Sequence, residues 1–247
     1  MAEKGLAWPQ REKNMAKIRE TSQNTRKVRP APVPRPIIPG RPTVLYKYAS
    51  LDKPQYFFDT LVNHHLYAGL FSEMNDPMEG TFQTTEKLGQ DVKDFFSRGK
   101  SMLRFCALSP SPYRTLMWSY YAKEHKGYCL EINVEKFDSN ALVKMNYNNE
   151  IPKNIAPNDE SIKQLLCRKF TDWAHEEEWR LFVEDGKKYI EDVTIKTIYF
   201  GINMKDEDFQ LYKGIINIIC PEIEVKKMKK ALLNENHIDT SDKLTQD

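Results

Sequence analysis

Trp179-Arg180-Leu181-Phe182-Val183 and Ile195-Lys196-Thr197-Ile198-Tyr199-Phe200 decide the fold. Both are short apolar runs rich in aromatic and β-branched residues, so each reads as a strand. No helical stretch separates them, whereas a doubly wound parallel sheet requires helices between its strands. Outward from that pair, the pattern predicts strands over 44–48, 66–68, 103–108, 128–134, 143–147 and 222–228. It predicts helices over 56–64, 88–96, 114–123, 161–175 and 209–216, the fourth because Ile162, Leu165, Leu166, Phe170 and Trp173 fall near helical spacing. Asn75-Asp76-Pro77 is a turn signal, because Asn and Asp bond their own backbone and Pro fixes φ. The expected class is α+β: a single domain over 43–230 with a mixed, mainly antiparallel sheet flanked by helices.

The 247 residues are 40% hydrophobic and include 12 Phe, 12 Tyr and 4 Trp, enough for a sizeable core. No apolar run approaches the ~20 residues needed to cross a bilayer. The first ten residues lack the apolar stretch of a secretory signal, and Cys106, Cys129, Cys167 and Cys220 are scattered without short-range pairing. The expectation is a cytoplasmic protein with no membrane partner. The net charge of +2 conceals an asymmetry: residues 1–42 hold ten Lys/Arg against three Asp/Glu, and seven of the fourteen Pro. Proline at that density, with such charge, implies a disordered basic arm. The arm is either a solvated leader or an electrostatic handle for nucleic acid or an acidic partner. A polar tail is expected over 231–247. Only ten Gly occur and no glycine-rich phosphate loop follows a strand, which excludes a Rossmann or P-loop nucleotide site.

Four clusters could carry chemistry. In Lys169-Phe170-Thr171-Asp172-Trp173-Ala174-His175-Glu176-Glu177-Glu178-Trp179-Arg180, a strand starting at Glu178 would set Glu176, Glu178 and Arg180 on one face. Two such carboxylates should raise each other's pKa and compete for Arg180. They could stabilise a cationic centre or hold a ribose hydroxyl; a structural Glu–Arg pair at a helix-to-strand junction explains them equally. In Trp118-Ser119-Tyr120-Tyr121-Ala122-Lys123-Glu124-His125, helical spacing would place Trp118, Tyr121 and His125 on one face. Those three could stack a base or nicotinamide ring and offer a proton, or could be ordinary core with His125 at the helix end. Asn75, Asp76 and Glu79 sit on a predicted loop, where binding groups gather. Tyr46-Lys47-Tyr48 offers one cation between two rings on the first strand. No pair of His lies at metal-ligand spacing, so no metal is expected.

In order, these clusters resemble the bacterial domain-of-unknown-function 2971 family. The resemblance runs through Leu45-Tyr46-Lys47-Tyr48, Asn75-Asp76-Pro77-Met78-Glu79, Phe105-Cys106-Ala107-Leu108-Ser109, Met117-Trp118-Ser119-Tyr120-Tyr121-Ala122 and His125-Lys126-Gly127. It ends with Trp173 to Arg180 and Ile198-Tyr199-Phe200-Gly201. Met78 stands where that family more often has an aromatic residue. The order is also similar to the ADP-ribosyltransferase superfamily, which binds NAD in the cleft of a split, mainly antiparallel sheet. That similarity implies NAD contacts from Lys47, Tyr46, Asn75, Asp76 and Arg180, and stacking of the nicotinamide by Tyr121 or its neighbours Tyr120 and Trp118. It implies that Glu178 holds the ribose and favours an oxocarbenium-like transition state, and that Glu176 orients the acceptor. The expected function is thus NAD-dependent modification of a macromolecule, as a toxin or phage-defence effector. A nuclease using His125 and Glu178 as acid and base, and a non-catalytic ligand-binding module, are the alternatives.

Overall fold

The computed structural model describes residues 40–83, 89–153, 155–183 and 186–230, with the backbone alone of Asp159 and of Leu244–Thr245. All of them belong to one compact unit, Ile38–Asp247. The expected arm over 1–42 lies outside the described residues except for its last three, and the tail over 231–247 except for that short backbone segment.

In chain order the elements are β1 (Val44–Ala49), α1 (Pro54–Asn63), β2 (Leu66–Tyr67), β3 (Gly69–Leu70), α2 (Gln90–Met102), β4 (Arg104–Leu108) and α3 (Thr115–Tyr121). Then come β5 (Tyr128–Asn133), β6 (Leu142–Lys144), β7 (Asn146–Tyr147), α4 (Asp159–Leu166), β8 (Arg168–Lys169) and β9 (Trp179–Phe182). The last are β10 (Tyr189–Ile190), β11 (Thr194–Phe200), α5 (Asp206–Ile219), β12 (Glu224–Lys227), β13 (Lys229–Lys230) and β14 (Leu244–Thr245).

Two four-stranded sheets organise them. In the first, of order β1-β5-β11-β12, β5 runs antiparallel to both neighbours, and β12 returns parallel to β11 after α5. The second, of order β3-β4-β9-β6, is antiparallel throughout. They meet where Tyr46 N donates to Ser109 O and Ser109 N to Tyr46 O, both at 2.8 Å. The chain is therefore an α+β domain with mixed, mostly antiparallel sheets.

The residue pattern explains the layers. Tyr128, Cys129, Leu130 and Ile132 of β5 are all buried, so this strand is covered on both faces. On one face Leu45, Leu130, Ile132, Ile198 and Phe200 pack under α1 and α5, which contribute Phe57, Leu61, Phe209 and Ile216. On the other, Tyr48, Cys129 and Tyr199 pack with Trp118 of α3 and with Met228. A third cluster joins Phe105 and Phe182 of the second sheet to Phe96 of α2 and to Ile162, Leu165 and Leu166 of α4.

Three sequence expectations need correction. The helix expected over 161–175 ends at Leu166; Arg168–Lys169 form β8 beside β7, and Thr171–Glu176 form a 3₁₀ turn. The apolar positions of α4 are buried as expected, but a continuous helix would carry Lys169 into the same apolar face one turn after Leu165. The chain instead extends and gives Lys169 carboxylate partners. The strand expected over 143–147 is interrupted at Met145, whose amide bonds Glu178 O. Trp179–Phe182 and Thr194–Phe200, with β10 between them in the chain, belong not to one sheet but to two, β9 to the second and β11 to the first.

Candidate functional site

Four segments converge on a buried ionic cluster, each for a local reason. The turn after Asn75 is held by Asp76, whose Oδ1 accepts from Met78 N at 2.9 Å. Gly80 closes it with φ of +67°, and Glu79 is left pointing inward, 4% exposed. Strand side chains alternate in direction, so β8 sends its two basic residues to opposite faces and Lys169 inward. After the 3₁₀ turn, Glu177 adopts φ of +45° and turns outward to pair with Arg114 at 2.7 Å. Glu178 N donates to Tyr147 Oη at 2.7 Å, and β9 then sets Arg180 beneath Glu178.

The resulting network has three carboxylates and two cations. Lys169 Nζ lies 3.2 Å from Glu79, 2.6 Å from Glu176 and 2.7 Å from Glu178. Arg180 reaches Glu79 through Nη2 and Glu178 through Nε, both at 2.7 Å, and also donates to Leu166 O. Its guanidinium lies 4.1 Å from the centre of the Phe105 ring. Burial raises the Glu79 carboxyl above its usual range, with Arg180 and Lys169 opposing. Burial acts the same way on Glu178, but there Arg180 and Lys169 outweigh it and the carboxyl is held low. Lys169 is held high, because its three carboxylates outweigh its burial.

An aromatic surface adjoins the cluster. Tyr121 Oη donates to Glu176 Oε1 and accepts from Asn75 Nδ2 at 3.2 Å. Burial, then Glu176, hold that phenol well above its ordinary range. Tyr120, 61% exposed, lies with its ring centre 6.5 Å from that of Tyr121 and 6.0 Å from that of His175. Trp173 stacks near His175 at 6.2 Å, and Lys169 Nζ lies 5.4 Å from the centre of the Trp173 ring.

Glu176, Glu178, Arg180, Tyr121 and Asn75 thus share one locality, although not as one strand face: Glu177 is left-handed, and Lys169 is what joins Glu176 to Glu178. Arg180 divides itself between Glu178 and Glu79, not between Glu176 and Glu178. The mutual raising of pKa expected for the two glutamates is corrected at Glu178, which its cations lower. Asp76 supports the turn. Lys47 Nζ donates to Ala107 O at 3.2 Å, and its charge and that of Glu178 both act on the buried Cys106 thiol. Tyr46 packs on Tyr199 at 6.3 Å.

Trp118 and His125 correct the expected helix face. Trp118 is wholly buried, with its indole N–H on Pro112 O at 2.8 Å, so it offers no open face for a cofactor ring. Helix α3 ends at Tyr121, and Lys123, Glu124 and His125 are all left-handed, with φ of 49°, 52° and 65°. His125 stacks on Trp118 at 6.2 Å, and its Nε2 lies 3.1 Å from Ser119 Oγ. The Ser119 hydroxyl donates to Thr115 O, so His125 Nε2–H must donate to Oγ, and buried Nδ1 is left bare. Lys169 is the member that the sequence reading does not single out, and Glu79, placed there on a binding-type loop, has its ionic partners only in the fold. Lys169 lay inside the quoted charged stretch; Glu79, 101 residues from Arg180, has no local pattern linking it to the others.

The fold and the cluster define a class: an α+β protein whose two sheets are joined at one bridge, with a buried carboxylate–cation network beside an aromatic surface. Residues 117–181 match the model of a family described as "Protein of unknown function (DUF2971)", and the chain resembles that family there. The segment carries Tyr121, Lys169, Glu176, Glu178 and Arg180, whereas Asn75 and Glu79 precede it. No curated protein and no solved structure matches the chain. Among the described residues no helix is long and apolar enough to cross a membrane.

Proposed function

We propose that the protein is an ADP-ribosyltransferase-like enzyme that uses NAD to modify a macromolecule. One observation supports this most: three carboxylates share two cations directly behind a surface of aromatic rings. That arrangement has a surplus of negative charge, relieved either by a proton on Glu79 or by a cation bound at the ring surface. The nicotinamide ring of NAD is such a cation, and its departure moves positive charge onto the ribose. A carboxylate fixed in a water-poor setting stabilises that developing charge far more than it would in water.

In this reading Tyr121 or Tyr120 stacks the nicotinamide, since their rings stand at 82° to each other and only one can lie flat on it, and Glu176 faces the ribose cation. Glu178, with both oxygens held by Arg180 and Lys169, is a positioning residue. Glu176 is only 2% exposed, so substrate entry requires Tyr121 to leave it. A toxin or phage-defence role belongs to the same proposal, as do Lys47 and Asn75 as outer NAD contacts. With labelled NAD the protein should transfer label or release nicotinamide, and Glu176→Gln should slow this by about 10²–10³, the usual effect of losing one electrostatic stabiliser. Absence of NAD binding at millimolar concentration overturns the proposal.

A second reading, a non-catalytic ligand-binding module, is favoured by each of the three carboxylates already having a cation partner within the cluster. There Glu176→Gln leaves ligand affinity and cellular phenotype intact and no nicotinamide is released. The nuclease alternative has no comparable support: His125 is stacked on Trp118, and both Glu178 oxygens are engaged.

A further inference from the structure

On the opposite side of β8 from Lys169, Arg168 forms part of the wall of a cleft of about 1410 Å³ bounded by β6, β7 and α4. Arg168 is 6% exposed, its guanidinium held by Asn148 (Nε to Oδ1 at 3.1 Å, Nη2 to O at 3.2 Å) and by the Phe170 ring 5.1 Å away. Lys144, Lys153 and Lys163 line the same cleft, giving four cations against the two carboxylates Glu150 and Glu160. Among the described residues none of the four cations forms an ion pair within 4 Å, although the Glu150 charge acts on Arg168. Lys144 and Lys163 instead lie over the Trp179 and Phe182 rings, each at 5.9 Å.

The amides in the wall have the same bias. The Asn148 side-chain oxygen accepts from Arg168 and from Glu150 N, and that of Asn149 accepts from Thr171 N and Oγ1. Both therefore keep N–H₂ donors with no partner among the described residues. A wall of amide donors and of cations without an ion pair among the described residues, with the fixed Arg168 guanidinium in it, matches anionic oxygens. The volume exceeds the roughly 300–1,000 Å³ of small-molecule pockets, so an oligomer suits it better than one nucleotide.

We propose that this cleft binds the phosphate backbone of a short single-stranded nucleic acid. The inference is independent of NAD chemistry at the cluster. Contacts run to phosphates, and among the described residues no aromatic side chain lines the cleft for base stacking. Binding is therefore salt-sensitive and nearly indifferent to sequence.

The test uses the full chain and a short fluorescein-labelled oligouridylate, read by fluorescence anisotropy across a salt series. The double variant Lys144→Glu/Lys163→Glu should weaken binding by about tenfold or more and lower the salt slope by about two. Lys93→Glu, on exposed α2, should change affinity less than twofold, and circular dichroism should report all three proteins folded. Equal binding by wild type and the double variant overturns the proposal and moves the contact elsewhere, the basic residues 1–42 included. Absence of binding at low salt also overturns it, and so does competition by inorganic pyrophosphate as strong as that by unlabelled oligouridylate, which would make this a small-phosphate site.

Discussion

Lys169 holds together three carboxylates that would otherwise repel one another in a nearly dry interior. Removing one partner of a buried ionic network leaves the others unpaired, at a typical cost of about 3–5 kcal/mol. Urea unfolding of Lys169→Met should show a loss of that order. Lys123→Met, which breaks only an exposed 3.1 Å pair with Asp52, should cost less than about 1 kcal/mol. His125 gives a second, pH-dependent prediction. Burial lowers its pKa below the ordinary 6.5, because protonated Nδ1 would be a buried donor without an acceptor. Above pH 6.5 the ring is neutral folded and unfolded; below it the unfolded chain takes up the proton first, so stability falls with falling pH. Thermal melts between pH 7.5 and 5.5 should show a smaller loss in His125→Gln than in wild type. An equal slope assigns the acid sensitivity to other groups.

The elements were legible from the sequence wherever a single period ran through them. The runs that became β1, β4, β5 and β11 and the apolar stripe of α1 were read within a few residues. The stretch from Ile162 to Trp173 was not, because its spacing continues beyond Leu166 while its backbone does not; the pull is electrostatic, from carboxylates that include one on a distant turn. The proximity of Glu178 and Arg180 could be read from their two-residue spacing, whereas Glu79 is brought in by tertiary structure alone. The left-handed run after α3 was also invisible, and it sets a prediction for element packing. A Cβ on Gly201 would lie 2.1 Å from His125 O, so Gly201→Ala should destabilise by about 1–3 kcal/mol or more. Gly214, exposed in α5, meets nothing within 4 Å, and Gly214→Ala should stabilise by up to about 1 kcal/mol. Denaturant midpoints moving in opposite directions would confirm both; a stable Gly201→Ala would show that the His125 turn is not seated as described.

At the scale of the molecule, the two sheets explain how residues so far apart in sequence share one locality. The first sheet carries the main core, and the second presents β9 to the turn holding Glu79 and to β8. The segment that matches the family model runs from α3 to β9, so it spans one side of the cluster and its aromatic surface. β8 separates two environments, with Lys169 among carboxylates and Arg168 in a cationic cleft. The proposed NAD site is this cluster with its rings, Glu176 facing the ribose. Nicotinamide release from NAD, measured for wild type and for Glu176→Gln with matched circular dichroism, tests it most directly. Wild type should release nicotinamide above the buffer rate, and the variant should lose about 10²–10³ of that rate. Equal rates in the two proteins, or no release and no binding at millimolar NAD, would contradict it.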